Sequence, residues 1–432
     1  MKNKVKAILF AAVLACSMSG CGAANVQTNG PAVTPAAETP AETDPSVLSA
    51  AAVPVTGREP DEAFLHAQTA FSLGLMQETA KADKGNNMLI SPYSVMQALG
   101  MTANGAAGDT RTEMEQALGG IPADTLSQYL YTLRSGMPDS ENSRFRTANS
   151  LWIREQGDRI RPKESFLQWN AGYFDAEARM LPFDEAARAG INQWCAEKTN
   201  GMIPEILSEP IPEEAVMYLI NAVCFEAKWA VPYDEEPAPR EFTPSSGAAQ
   251  QVQMMYSGEN QYLSCENACG FLKDYQDGKY TFAAVLPDAG MTPEEWLAGV
   301  DAAQLRSMLT GAERCTVRAG LPEFSYDYNT ELSPMLKNMG IRKAFDEDAD
   351  FSGMAETASG CLFISRVLHK THIDVDTDGT KAAAVTAVEM ADECAAEEPE
   401  DIKTVILDRP FVYMIVEKET MLPVFIGVMN EA

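Results

Sequence analysis

Apolar positions change period along the chain. In EPDEAFLHAQTAFSLGLMQETAK, Phe64, Phe71 and Leu75 fall on one helical face with Pro60 near the first turn, which predicts a helix. SVMQALGMTANG and GDTRTEMEQALGG read as two more, the second capped by Asp109 or Thr110. INQWCAEKTNGMI reads as a helix stopped at Asn200–Gly201, and FRTANSLWIRE between them as a strand. The second half is mostly β-branched and aromatic. AVMYLINAVCFEAKW, YTFAAVLP, RCTVRAGLPEFSYDY and CLFISRVLHKTHIDV read as strands, and FVYMIVEKETMLPVFIGVM as a hairpin around EKET. Helices in PEEWLAGVDAAQLRSML and SPMLKNMG interrupt them. With no regular strand–helix alternation and no internal repeat, the expected fold class is α+β.

A second pattern sits in DVDTDGTKAAAVTAV, positions 374 to 388. Even positions from Thr380 to Met390 are all apolar or small, whereas Lys381 and Glu389 both fall on odd ones. On a strand this gives one face fit for burial. The segment then runs into DECAAEEPED, an acidic stretch suited to an exposed loop, so it is a strand pattern leading into solvent. The plainer alternative is an ordinary strand followed by a long loop. A calcium loop is a weaker account: Asp374, Asp376, Asp378 and Gly379 match its first half, but Val385 stands where a bidentate carboxylate is needed. No metal and no cofactor is expected.

Composition narrows the partners. The 432 residues, 46% of them hydrophobic, can bury a sizeable core. A formal charge of −29 repels nucleic acid and anionic lipid alike. Residues 1–20 carry three lysines followed by an apolar run from Ala7 to Ala15, the layout of a secretory signal. SMSGC, ending at Cys21, resembles a bacterial lipoprotein box in which that cysteine is lipidated; a box ending at Cys16 and an ordinary cleaved signal are the alternatives. Residues 21–58 are rich in Ala, Pro, Thr and Glu and predict a disordered tether, with the globular domain at 59–432. Cys195, Cys224 and Cys361 lie in apolar runs as small hydrophobes, while Cys265 and Cys269 are close enough to bridge. Only His66, His369 and His372 are available for acid–base work, and the chain has no G-x-S-x-G, H-E-x-x-H or phosphate-loop motif, so an enzyme is not expected.

NNMLISPYSVMQALGMTANGAAGDTRTEM, TANSLWI, INQWCAEKTNGMI, LINAVCFEAKW, LPEF, MGIRKAFDEDADFSGM, ISRVLHKTHIDVDTDGTKAAAVTAV and DRPFVYMIVEKETMLPVFIGVM resemble, in the same order, motifs of the serpins, the protease-inhibitor superfamily. The resemblance spans Glu59 to Ala432 and implies three β-sheets, about nine helices, a monomer and an exposed reactive loop. In that family a target protease cleaves the loop and becomes acylated. The freed loop then inserts as a strand, dragging the enzyme away; latent forms insert without being cut. Roughly 12 inserted residues at about 3.3 Å each move the acylated enzyme by ~40 Å. That distance far exceeds what an oxyanion hole tolerates. The resemblance makes Gly379, Thr380, Lys381, Ala382, Ala383, Ala384 and Val385 the hinge, with Gly379 as its swivel. It sets Ser91, Ser94, Asn221 and His369 beneath the parting strands and Trp229 at the top of the sheet.

The match departs from the family at Thr377, Lys381 and Val385, where a glutamate, an acid and a small residue are usual. Counting from the hinge sets the scissile bond at Glu393–Cys394, within a range from Met390 to Ala396; counting back from RPF sets it near Pro399. Glu393 suits a glutamate-preferring protease, and the small residues around it suit elastase-like or subtilisin-like enzymes, serine or cysteine in type. With no basic residue between Lys381 and Lys403, trypsin-like enzymes are poor candidates. A non-inhibitory carrier or chaperone and a calcium-binding surface lipoprotein are the rival expectations. The expected location is the bacterial cell surface, by lipid anchor, or the medium if the anchor is absent.

Overall fold

The computed structural model describes residues 47–48, 53–138, 140, 142–155, 160–213, 215–357, 362–380 and 402–432. Among them are nine α-helices and sheets of nine, six and two strands. The predicted first helix runs Glu62–Ala82, opened by the Asp61 side chain accepting from the Phe64 N–H. Its apolar face, with Phe64, Phe71 and Leu75, is buried in the main core. Helix Pro92–Ala103 is buried on all sides, and Ser91 caps it.

The six-stranded sheet orders Phe324–Glu331, Arg366–Val375, Gly379–Thr380, Met217–Lys228, Ser143–Arg154 and Glu177–Leu181. Its lower half is covered by helix Glu185–Lys198, where Ile191, Trp194 and Cys195 join Trp152, Tyr218 and Ile220 in a second, smaller core. The helix stops as the sequence predicts, with Asn200 and Gly201 both at positive φ. The nine-stranded sheet contains the hairpin Phe411–Glu417 with Leu422–Met429, and its far edge is Lys403–Ile406 on Glu313–Pro322. Residues 381–401 therefore link one sheet to the other.

Several boundaries differ from expectation. RCTVRAGLPEFSYDY is two strands in two sheets, parted at Glu323, whose N–H makes a last bond to the first sheet at Gln253 O, 2.8 Å away. PEEWLAGVDAAQLRSML is two helices, Pro293–Gly299 and Ala302–Thr310, because Asp301 starts a new capping box. Helix Gly108–Ala117 begins before Asp109 and Thr110, so neither caps it. Part of the expected tether is bound to the domain. Val47 bridges Arg179, the Leu48 N–H donates to Ala178 O at 2.8 Å, and Arg58 lies over the Tyr129 ring. Val47, Leu48, Val53 and Val55 are the large apolar side chains of residues 47–58, and Val53 and Val55 pack at Gly172. Cys265 and Cys269 are unbridged thiols. They are offset across a tight turn, where Cys265 faces Ala268 and Cys269 faces Ser264.

Candidate functional site: a parted sheet and its hinge

Strands Arg366–Val375 and Met217–Lys228 run parallel and pair directly over Arg366–Leu368 and Tyr218–Ile220. Higher up they part. There Gly379 and Thr380 lie between them, antiparallel to both, with Thr380 opposite Ala227 on one side and Val375 on the other. The expected hinge thus begins inside the sheet.

The turn that brings the chain back is built by Asp376. Its carboxylate accepts the N–H groups of Asp378 at 2.8 Å and Gly379 at 3.0 Å, and its own N–H donates to Gly379 O at 3.0 Å. Burial raises the Asp376 pKa, an effect that Asp374 and Asp378 reinforce and the two backbone donors oppose. One carboxylate of the supposed calcium set is therefore committed to the backbone, and no group of three His, Cys, Asp or Glu among the described residues is arranged to hold a metal ion. Gly379 has no positive φ, so it is not acting as a left-handed swivel. It is needed for space: a Cβ there would lie 2.2 Å from Ala227 O and 2.8 Å from Lys228 Cα.

Trp229 closes the top of the sheet. Its backbone N–H donates to Asp378 O and its indole N–H to Asp376 O, both at 2.9 Å. The indole stacks on Tyr275 at 4.6 Å and 11°. Lys273, almost fully buried, sits 5.4 Å from the Trp229 ring centre and 4.3 Å from that of Tyr233, with its ammonium on Glu259 at 2.9 Å. The Tyr233 N–H reaches Thr377 O at 3.3 Å.

His369 lies one residue above the last direct pair, Leu368–Ile220. Strand Arg366–Val375 alternates strictly, so His369 is buried beneath the sheet while His372 faces out onto Asp327 at 2.8 Å. The Ser91 N–H donates to His369 Nε2 at 3.0 Å, which places the ring proton on Nδ1. Burial lowers the His369 pKa to about 4, so the ring is neutral. Ser91 Oγ donates to Val424 O at 2.8 Å and accepts from the Ser94 N–H, and Ser94 is fully buried. Asn221 is opposite Asn149 in register, two residues from the buried Val223.

Ser91, Ser94, Trp229, His369, Gly379 and Thr380 thus lie along one seam, from its closed bottom to its wedged top, and Asn221 holds the strand position just above the last direct pair. Lys381 to Val385, the Glu393–Cys394 bond with its Met390–Ala396 range, and Cys21 lie outside the described residues. Tyr275 and the clasp made by Asp376 were not foreseen. Tyr275 follows a strand end in the polar string KDYQDGKY, and no period marks a residue that reaches from one sheet to another.

The chain matches the model of the family described as Serpin (serine protease inhibitor) over residues 66–432. It is 28% identical over 433 residues to a serpin-like protein of Thermococcus kodakarensis, covering 98% of each chain. Identity to the alpha-1-antiproteinase of Rattus norvegicus is 30% over 370 residues, covering 83% of this chain and 86% of that one. Among solved structures, the thermophilic serpin tengpin in its native state superposes with a TM-score of 0.83 at 41% identity, covering 88% of this chain and 97% of that one. The family model, the relatives and the fold agree that this chain belongs to the serpin family.

Proposed function

We propose that the protein is an extracytoplasmic inhibitor that traps a serine protease, or a cysteine protease acting in the same way, as an acyl-enzyme. One observation carries this reading: Gly379 and Thr380 already occupy the strand position between Arg366–Val375 and Met217–Lys228. In the proposed reaction the protease nucleophile attacks the carbonyl carbon of Glu393. The bond to the Cys394 nitrogen breaks, that nitrogen takes the proton, and an ester or thioester to Glu393 remains.

Insertion follows the register already begun. Continued from Thr380–Ala227, it brings Thr386 beside Asn221 and Ala387 beside Ile220. Lys381 to Thr386 therefore enter where the strands have parted, and Ala387 is the first residue that must break a direct pair, Leu368–Ile220. Even-numbered residues would follow Thr380 onto the buried face, and all of them to Met390 are small or apolar. The alpha-1-antiproteinase similarity supports inhibition over a carrier role. The basic-free loop favours elastase-like, subtilisin-like or glutamate-preferring targets over trypsin-like ones. The N-terminal pattern supports an anchor at Cys21 on the bacterial surface, tested by lipid labelling that Cys21→Ser should abolish.

The main test is incubation of the whole chain with each protease class, followed by denaturing gels and mass spectrometry of the released peptide. A covalent complex heavier than either partner, with a new N-terminus between 391 and 396, is the expected result. Cleaved chain beside fully active protease, in every case, would mark a substrate and sink the proposal.

A further inference from the structure

The Tyr275 hydroxyl is buried and lies 2.7 Å from the hydroxyl of Thr380, a residue 2% exposed. We propose that Tyr275 is a positioning residue for insertion: it captures Thr380 and so sets the register in which the rest of the loop enters. This rests on the trapping reading above.

The ring is held before the hinge arrives. It stacks on Trp229, meets Phe225 edge-on at 5.1 Å and 71°, and its backbone bridges Trp229 while its N–H donates to Tyr280 O. Trp229 and Phe225 flank Ala227, the residue opposite Thr380, so the hydroxyl stands at a fixed height in the seam.

At that height the neighbours of Thr380 cannot replace it. A slip of one residue brings Gly379 or Lys381 to the phenol, and reverses the buried and exposed faces of everything that follows. A slip of two brings Asp378 or Ala382, one a charge and the other without a polar atom. Of these residues only Thr380 offers the phenol a neutral hydroxyl partner, the pairing seen at 2.7 Å.

Tyr275→Phe keeps the ring and its stacking and removes only the capture. It should raise the number of inhibitor molecules consumed per protease trapped by several-fold, up to about tenfold, while the rate of first encounter is unchanged. Thr380→Val should do the same, and the double variant should be no worse than the poorer single. Additive effects, or a stoichiometry unchanged in Tyr275→Phe, would overturn the assignment. Amide exchange at Thr380 in the uncut chain needs no inhibition and should quicken about tenfold in Tyr275→Phe. If the native chain traps nothing yet this exchange quickens, the trapping reading fails and the capture stands. If the native chain traps and neither readout moves, the capture fails alone.

Discussion

The same two strands are held together in different ways at their two ends. At the bottom, Arg366–Leu368 and Tyr218–Ile220 pair directly, and Ile191, Trp194, Ile203, Ile206 and Leu207 bury Tyr218, Ile220 and Leu368 from above. Lys370 adds a bond to Glu205 O. At the top, a third strand lies between them, so their separation rises from about 4.8 Å to roughly twice that. Hydrogen bonds do the fastening there: Trp229 to Asp376 and Asp378, Tyr233 to Thr377, and Tyr275 to Thr380. Apolar burial is non-directional and is lost in large steps, whereas the hydrogen bonds of a strand form and break residue by residue. The bottom is thus built to resist opening and the top to accept a strand.

The largest break in that contrast should come from Trp194→Ala. Trp194 is 4% exposed and packs edge-on against Trp152 at 6.1 Å and 83°. Its removal should cost about 3–5 kcal/mol in denaturant unfolding. It should also hasten insertion of the uncut loop, detected as loss of inhibitory capacity on warming. A loss below about 1 kcal/mol would mean that the helix does not clamp the closed pairs.

Next in size is the effect of acid on the junction. His369 has a native pKa of about 4 against 6.5 in an unfolded chain. Between these values the unfolded chain binds a proton that the native strand refuses, so stability falls as pH drops from about 6.5 toward 4 and is flat above. The total is about 3 kcal/mol. Protonation also ends acceptance of the Ser91 N–H, loosening the joint at the point where the strands part. Unfolding midpoints measured across this range should slope in the native chain and flatten in His369→Gln. Equal slopes would assign the effect to other groups.

How much of this could be read beforehand depends on the range of the interaction. Period two placed Thr380 inward, because facing on a strand is local geometry. The seam residues were found through motif resemblance. The function of Gly379 was not legible: glycine suggests turning, yet here it permits close approach to a carbonyl on a strand about 150 positions earlier. Tyr275 escaped for the same reason, since its partner lies 105 positions away. Val47 and Leu48 were passed over because isolated apolar residues in a polar string signal nothing until an edge strand is there to receive them.

The smallest predicted effect tests what the top half is made of. Asp376 has two opposed properties: its oxygen closes the turn on the N–H groups of Asp378 and Gly379, while its charge adds to that of Asp374 and Asp378 and of Glu323, the residue preceding the partner of Val375. Asp376→Asn keeps the acceptor and removes the charge, so it should leave the hinge as stable or slightly more so. Asp376→Ala removes both and should cost about 1 kcal/mol, read as faster amide exchange at Gly379 and Thr380. If Asn and Ala loosen the hinge equally, the ionic character of the carboxylate holds the turn, and the top of the seam is electrostatic in a way its hydrogen-bond geometry does not convey.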